Sequence, residues 1–117
     1  MASGEQLRVG VRNQAGAVLV QVDGELDLAS APLLESRIDS AEVAAADTVV
    51  LDLRGVQFID STGLRAIFGA HSRARERGQE FAITRGPEQV QRLLSITRMG
   101  EHLRIVDAPE EVLGQAG

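Results

Sequence analysis

Val49-Val50-Leu51, followed at once by Asp52 and Leu53, is a continuous apolar run. It is the pattern of a strand covered on both faces, and such strands occur in sheets flanked by helices. The rest of the chain supplies what that strand needs. Leu7, Val9 and Val11 alternate with polar residues, Gln14-Ala15-Gly16 reads as a turn, and Val18, Val20 and Val22 alternate again, so the start of the chain is predicted to be a β-hairpin. Ser30 is placed to cap a helix with Pro32 in its first turn, and Leu33, Leu34, Ile38 and Ala41 give it an apolar stripe to about Ala45. From Thr62 onward Leu64, Ile67, Phe68 and His71 recur at helical spacing until Gly78, a C-terminal stop.

The pattern then repeats. Phe81-Ala82-Ile83 reads as a strand, Gly86-Pro87 opens a helix with stripe Val90, Leu93 and Leu94 that closes at Gly100, and 103–106 forms a last short strand. Asp107 and Glu110 have capping-box spacing for a terminal helix carrying Val112 and Leu113. The order ββαβαβαβα predicts an α/β fold: a mixed sheet of about four to five strands, with helices packed on it and right-handed helical crossovers. Ligand sites in such sheets lie where strands end and loops lead into helices. The loops 24–30 and 54–61 both do so, and parallel strands would bring Asp27, Asp60 and Ser61 to one edge.

With 117 residues, the chain is read as one domain with its core over about 7–113, burying roughly two-thirds of its unfolded surface. Phe58, Phe68 and Phe81 are its only aromatics besides histidine, so the core is expected to be aliphatic with the three rings in it, and base-stacking platforms are absent. A net charge of −5 also argues against a nucleic-acid partner. No cysteine is present, which removes disulfides and thiolate chemistry and is compatible with a cytoplasmic protein. Residues 1–5 lack a basic start, and no run of about 18 apolar residues occurs, so neither a signal peptide nor a membrane span is predicted.

The residues that carry chemistry cluster at Phe58-Ile59-Asp60-Ser61-Thr62-Gly63-Leu64-Arg65-Ala66. A helix start offers unpaired N–H groups and the positive end of a dipole, so a phosphate on Ser61 is compatible with the fold; the same residues also read simply as a helix cap. A serine nucleophile needs a base, but His71 lies ten residues on, roughly 15 Å along a helix, and His102 has no triad spacing. Both histidines are read as structural. Asp27 and Asp60 suit a Mg²⁺-dependent phospho-aspartate receiver, but that chemistry uses a lysine, and all twelve basic residues are arginine. Nor is there a GxxxxGK[ST] loop. No catalytic residue, metal or cofactor is expected, and Arg73, Arg75 and Arg77 are read as a solvated helix face.

Gly24-Glu25-Leu26-Asp27 with Ala31-Pro32-Leu33, the strand 49–53, Phe58-Ile59-Asp60-Ser61-Thr62-Gly63-Leu64 and Val90-Gln91-Arg92-Leu93-Leu94 together resemble a STAS domain of the stand-alone anti-anti-sigma type, over about 7–113. The resemblance implies a bacterial, cytoplasmic, non-enzymatic antagonist. Unphosphorylated, such a protein binds an anti-sigma factor with serine-kinase activity and frees the sigma factor for transcription, and the kinase then inactivates it. It implies Ser61 as phosphoacceptor with Thr62 secondary, and Asp27, Asp60, Ser61, Thr62, Gly63 and Arg65 at the partner edge. Arg65 stands where many relatives carry glycine, placed to meet either a phosphate on Ser61 or an acid on the partner. The alternatives are a phosphorylation-independent STAS subunit of a lipid-transport or signalling complex and, third, a small hydrolase. Monomer and weak dimer are both open.

Overall fold

The computed structural model describes residues 6–14 and 16–113. Ala15 of the hairpin turn and the N-terminal segment 1–5 lie outside the described residues. Strands β1 (Leu7–Gln14) and β2 (Ala17–Leu26) form the antiparallel hairpin. β3 (Thr48–Ile59), β4 (Glu80–Thr84) and β5 (Ile105–Val106) follow in parallel, so the sheet order is simply β1-β2-β3-β4-β5. Helices α1 (Ala31–Ile38), α2 (Ala41–Ala44), α3 (Ser61–Glu76), α4 (Glu88–Thr97) and α5 (Glu110–Leu113) fill the connections and close the chain, with a 3₁₀ turn at Met99–His102. The predicted α/β fold and its element order are present, with five strands. Among the described residues no helix is long and apolar enough to cross a membrane.

The apolar run in β3 is covered on both faces, as its pattern requires. Val49, Leu51 and Leu53 join Val18, Val20 and Val22 of β2 and the inward faces of α1, α3 and α4 in one large aliphatic cluster. Val50 turns the other way, onto Leu19, Ala82, Val106 and the Val112-Leu113 pair of α5. The interrupting Asp52 is buried too. Its carboxylate accepts from Arg54 Nε at 2.9 Å and Nη2 at 3.0 Å, and from Thr84 Oγ1 at 3.1 Å. Burial alone would raise its pKa, but the Arg54 hydrogen bonds and charge outweigh that and hold it below the ordinary carboxylate value.

Several boundaries differ from expectation. Both βα loops are shorter than predicted, because β2 runs on to Leu26 and β3 to Ile59, paired through two register shifts. Strand parity beyond those shifts points Phe58 outward, so it is 42% exposed rather than core. The helix predicted from Ser30 to Ala45 is two helices: Ser40 is extended and its hydroxyl donates to the Arg37 carbonyl at 2.7 Å, competing with helical pairing. Leu33 and Ala41 consequently lie on the exposed side, with Ala31, Leu34 and Ile38 inward. α4 ends at Arg98, a left-handed residue at φ 62°, before it can reach Gly100. At the last helix Glu111, not Glu110, closes the capping box, accepting from the Asp107 and Ala108 N–H groups at 2.8 and 3.0 Å.

Arg73 and Arg77 are not a purely solvated face. Both bind Asp39 at the end of α1, and Arg77 Nη1 also donates to the Ile38 carbonyl at 2.9 Å, tying α1 to the last turns of α3.

His71 sits between the rings of Phe68 and Phe81, 5.6 and 5.7 Å from their centroids, with its Nδ1 buried and unpartnered. Burial, then Arg75 and His102, push its pKa below 6.5, so the folded state prefers the neutral ring. The unfolded chain therefore binds more protons in the window just below 6.5, where stability falls as pH falls. Denaturant titrations between pH 8 and 5 are expected to show that loss, and His71→Leu to remove its part of it. An unchanged profile in the variant would show that His71 stays solvated.

Candidate functional site

The carboxyl ends of β2 and β3 create the candidate site. Leu26 and Ile59 are register partners, so Asp27 and Asp60 leave adjacent parallel strands side by side and Ser61 opens α3 beside them. The predicted grouping of Asp27, Asp60 and Ser61 on one edge is present.

Close approach of α3 to β2 holds the edge together. The Asp60 N–H donates to the Leu26 carbonyl at 3.3 Å. A Cβ on Gly63 would lie 2.3 Å from that carbonyl oxygen and 2.9 Å from Leu26 Cγ. Only a residue without a side chain lets the first turn of the helix sit this near the strand. Gly24 serves a matching purpose on the other side: it adopts φ +105°, a conformation costly for other residues, and the next N–H, of Glu25, donates to the Gln6 carbonyl at 2.7 Å.

The two acids have different tasks. Asp27 shapes its own loop: Oδ1 accepts from the N–H groups of Ala29 at 3.1 Å and Ser30 at 3.2 Å, and Oδ2 accepts from Gln6 Nε2. Ser30 does not cap α1 with its hydroxyl; that group donates to the Glu25 carbonyl at 2.7 Å and accepts from the Asp27 N–H at 3.0 Å. Asp60 is the cap of α3, its Oδ1 accepting from the Gly63 N–H at 2.9 Å. One of the helix's unpaired donors is thus already committed to a carboxylate, and the site is more acidic than the backbone alone suggests.

Ser61 is exposed, Thr62 half-buried and Arg65 exposed one turn further along α3. His71 is held among its phenylalanines two to three turns beyond Ser61, so no imidazole is present to activate the hydroxyl. Asp27, saturated with donors, has little capacity left for a cation, and no cluster of three metal-ligating side chains forms among the described residues. Chemically, the edge offers an exposed hydroxyl beside a capping carboxylate, with no base placed to activate it.

Sequence reading missed four contributors. Leu28 is 73% exposed in the β2–α1 loop, and the outward-turned Phe58 joins it among the few large apolar side chains in solvent. An apolar residue inside a Gly-Glu-Leu-Asp-Leu-Ala loop was the available signal for Leu28. Gln89 of α4 accepts from the Ile59 N–H at 3.1 Å, and Gln6 holds Asp27. Neither glutamine has any local pattern that announces a partner so far away in the chain.

Comparison with known proteins agrees with this geometry. The STAS domain family model matches residues 8–112. The anti-sigma F factor antagonist of Paenibacillus polymyxa is 28% identical over 102 residues, covering 86% of this chain and 87% of that protein. Among solved structures, an anti-sigma factor antagonist from Mycobacterium paratuberculosis superposes with a TM-score of 0.83 at 23% identity, covering 99% of this chain and 98% of the other. The Bacillus cell fate determinant SpoIIAA in its phosphorylated form gives 0.72 at 15% identity, covering 94% and 100%. At these identities the structural likenesses establish the fold.

The contact at Gly63 makes a prediction that separates it from the other helical glycine. Gly69, with open space where its Cβ would lie, should gain about 0.5–1 kcal/mol on replacement by alanine. Gly63→Ala should instead lose about 1–3 kcal/mol, because strand or helix must shift. Urea denaturation of both variants checks the pair; an equal effect would mean that the close approach is not tight.

Proposed function

The chain belongs to the STAS domain family, and from that premise we propose that it is an anti-sigma factor antagonist acting in the bacterial cytoplasm. Its unphosphorylated carboxyl edge binds an anti-sigma factor with serine-kinase activity and releases the sigma factor, and phosphorylation of Ser61 by that kinase ends the interaction. The observation that carries the reading is the exposed Ser61 hydroxyl at the first position of α3, beside Asp60 and with no base of its own. Such a hydroxyl is suited to be a substrate of another protein's active site. The relative from Paenibacillus polymyxa is named as an antagonist of an anti-sigma factor, and the fold accommodates a phosphorylated form in SpoIIAA.

The physics of the switch is local. A phosphoryl group adds about −1.5 to −2 charges at pH 7. It falls beside the Asp60 carboxylate and near the exposed Leu28 and Phe58, surfaces a partner must desolvate to dock. The fold has no reason to fail, since Ser61 is solvated and at a helix start, where negative charge is tolerated. Binding carries the whole penalty.

Ser61→Ala is expected to keep the affinity for the cognate anti-sigma factor, and Ser61→Asp to weaken it at least tenfold, about 1.4 kcal/mol by titration calorimetry. Incubation with that kinase and ATP should place the phosphate on Ser61, read by peptide mass mapping. A phosphate elsewhere, or a Ser61→Asp protein that binds normally, would overturn the switch and favour a phosphorylation-independent STAS scaffold.

A further inference from the structure

We propose that Arg65 is the internal counter-ion and hydrogen-bond donor to the phosphate on Ser61, folding back one helical turn to grip it. The inference rests on the reading that Ser61 is the phosphorylated residue, and it identifies what the modified state looks like. Its starting point is a charge imbalance. Phosphate on Ser61 adjoins the Asp60 carboxylate, which already occupies the Gly63 N–H, and Asp27 lies on the neighbouring strand end. The helix start tolerates this charge, but with the Gly63 N–H already committed to Asp60 it has one donor fewer to offer a second anion.

A cation can compensate, and of the arginines without an ion pair among the described residues Arg65 is the one in the first turns of α3; Arg8 and Arg12 lie on β1, Arg37 in the last turn of α1 and Arg75 in the last turn of α3. Seven other arginines, at 54, 73, 77, 85, 92, 98 and 104, each have a carboxylate within 4.0 Å. Arg65 is exposed and forms no ion pair among the described residues. It stands four residues after Ser61 on the same helix, which puts the two on one face with Cβ atoms about 5–6 Å apart. Side chains on a helix lean toward its N-terminus, here toward Ser61. An anion preceding a cation by four residues is also the favoured order relative to the dipole. The planar guanidinium can present two N–H donors to two phosphoryl oxygens.

Two changes follow from one modification. The edge gains a dianion, and the guanidinium that stood free to solvent or to a partner's acid is withdrawn into an intramolecular pair. Phosphorylation thus removes a positive contact as well as adding a negative one.

Phosphoserine placed at position 61 by genetic encoding tests this without any kinase, so the result is independent of whether the kinase reading holds. The ³¹P NMR titration of that residue should give a second ionisation lower in the parent protein than in Arg65→Gln, by about 0.3 pH unit or more. Arg65→Lys should recover part of the difference, and Arg92→Gln, on α4 and paired with Glu88, none of it. Identical titrations in the parent and Arg65→Gln proteins would overturn the proposal. So would a shift of equal size in Arg92→Gln, which would mean that overall charge rather than a specific grip is responsible.

Discussion

Everything at the functional edge depends on how near α3 comes to the Leu26 carbonyl. That oxygen accepts the Asp60 N–H and faces the bare Cα of Gly63, so strand, cap and helix start are locked by one backbone group. The approach fixes where Asp60 can reach the Gly63 N–H, which in turn fixes Ser61 as the first helical residue, outside the cap and in solvent. Gly24 and Gln6 support the same oxygen-bearing segment from the other side, through the hairpin. The motif residues are thus largely parts of a single scaffold that holds one hydroxyl out.

Much of the architecture was legible because hydrophobic period is a strong signal. The hairpin alternation at 7–11 and 18–22, the doubly covered run at 49–53 and the stripe Leu64, Ile67, Phe68 each led to the element found. The errors have two causes: local side-chain-to-backbone bonds that compete with a helix, and partners distant in sequence that no local pattern registers. The Ser40 hydroxyl and the Gln79 side chain, whose Nε2 reaches the Val43 and Ala46 carbonyls at 2.8 Å, divide and end a stretch that reads as one helix. Phe58, expected in the core as an aromatic, lies next to the inward Ile59 on β3 and so faces the other side of the sheet, where it is exposed. Of the site, the acids and the hydroxyl were visible as a motif, whereas the Gln6 contact to Asp27 and the Gln89 contact to Ile59 required the fold to bring distant segments together.

The arginine-only basic complement shows a division of labour. Arg54 is spent on a buried carboxylate inside the sheet, Arg73 and Arg77 on the end of a helix, and Arg85 on Asp107 next to β5, at 2.8 Å. These pairs differ greatly in worth, since the exposed ones contribute little while removal of a partner from Asp52 would strand a buried charge. In a chain that is acidic overall, a guanidinium left without a carboxylate at the edge is therefore informative about that edge.

β4 pairs with β3 only over Thr48–Leu51, so the second half of β3 has a strand neighbour on one side alone, and the N–H of Ile59 turns to the Gln89 side chain of α4 for its acceptor. The platform of the site is thus an overhang, rooted in the five-stranded sheet and held at its tip by that amide, by the Asp60 N–H bond to the Leu26 carbonyl and by the burial of Val56 and Ile59. Because Val56 and Ile59 belong to the same aliphatic cluster as Val90 and Leu94 of α4, displacing the overhang would open that core. A force applied at this rim therefore passes to α4 through packed side chains as well as through the Gln89 hydrogen bond.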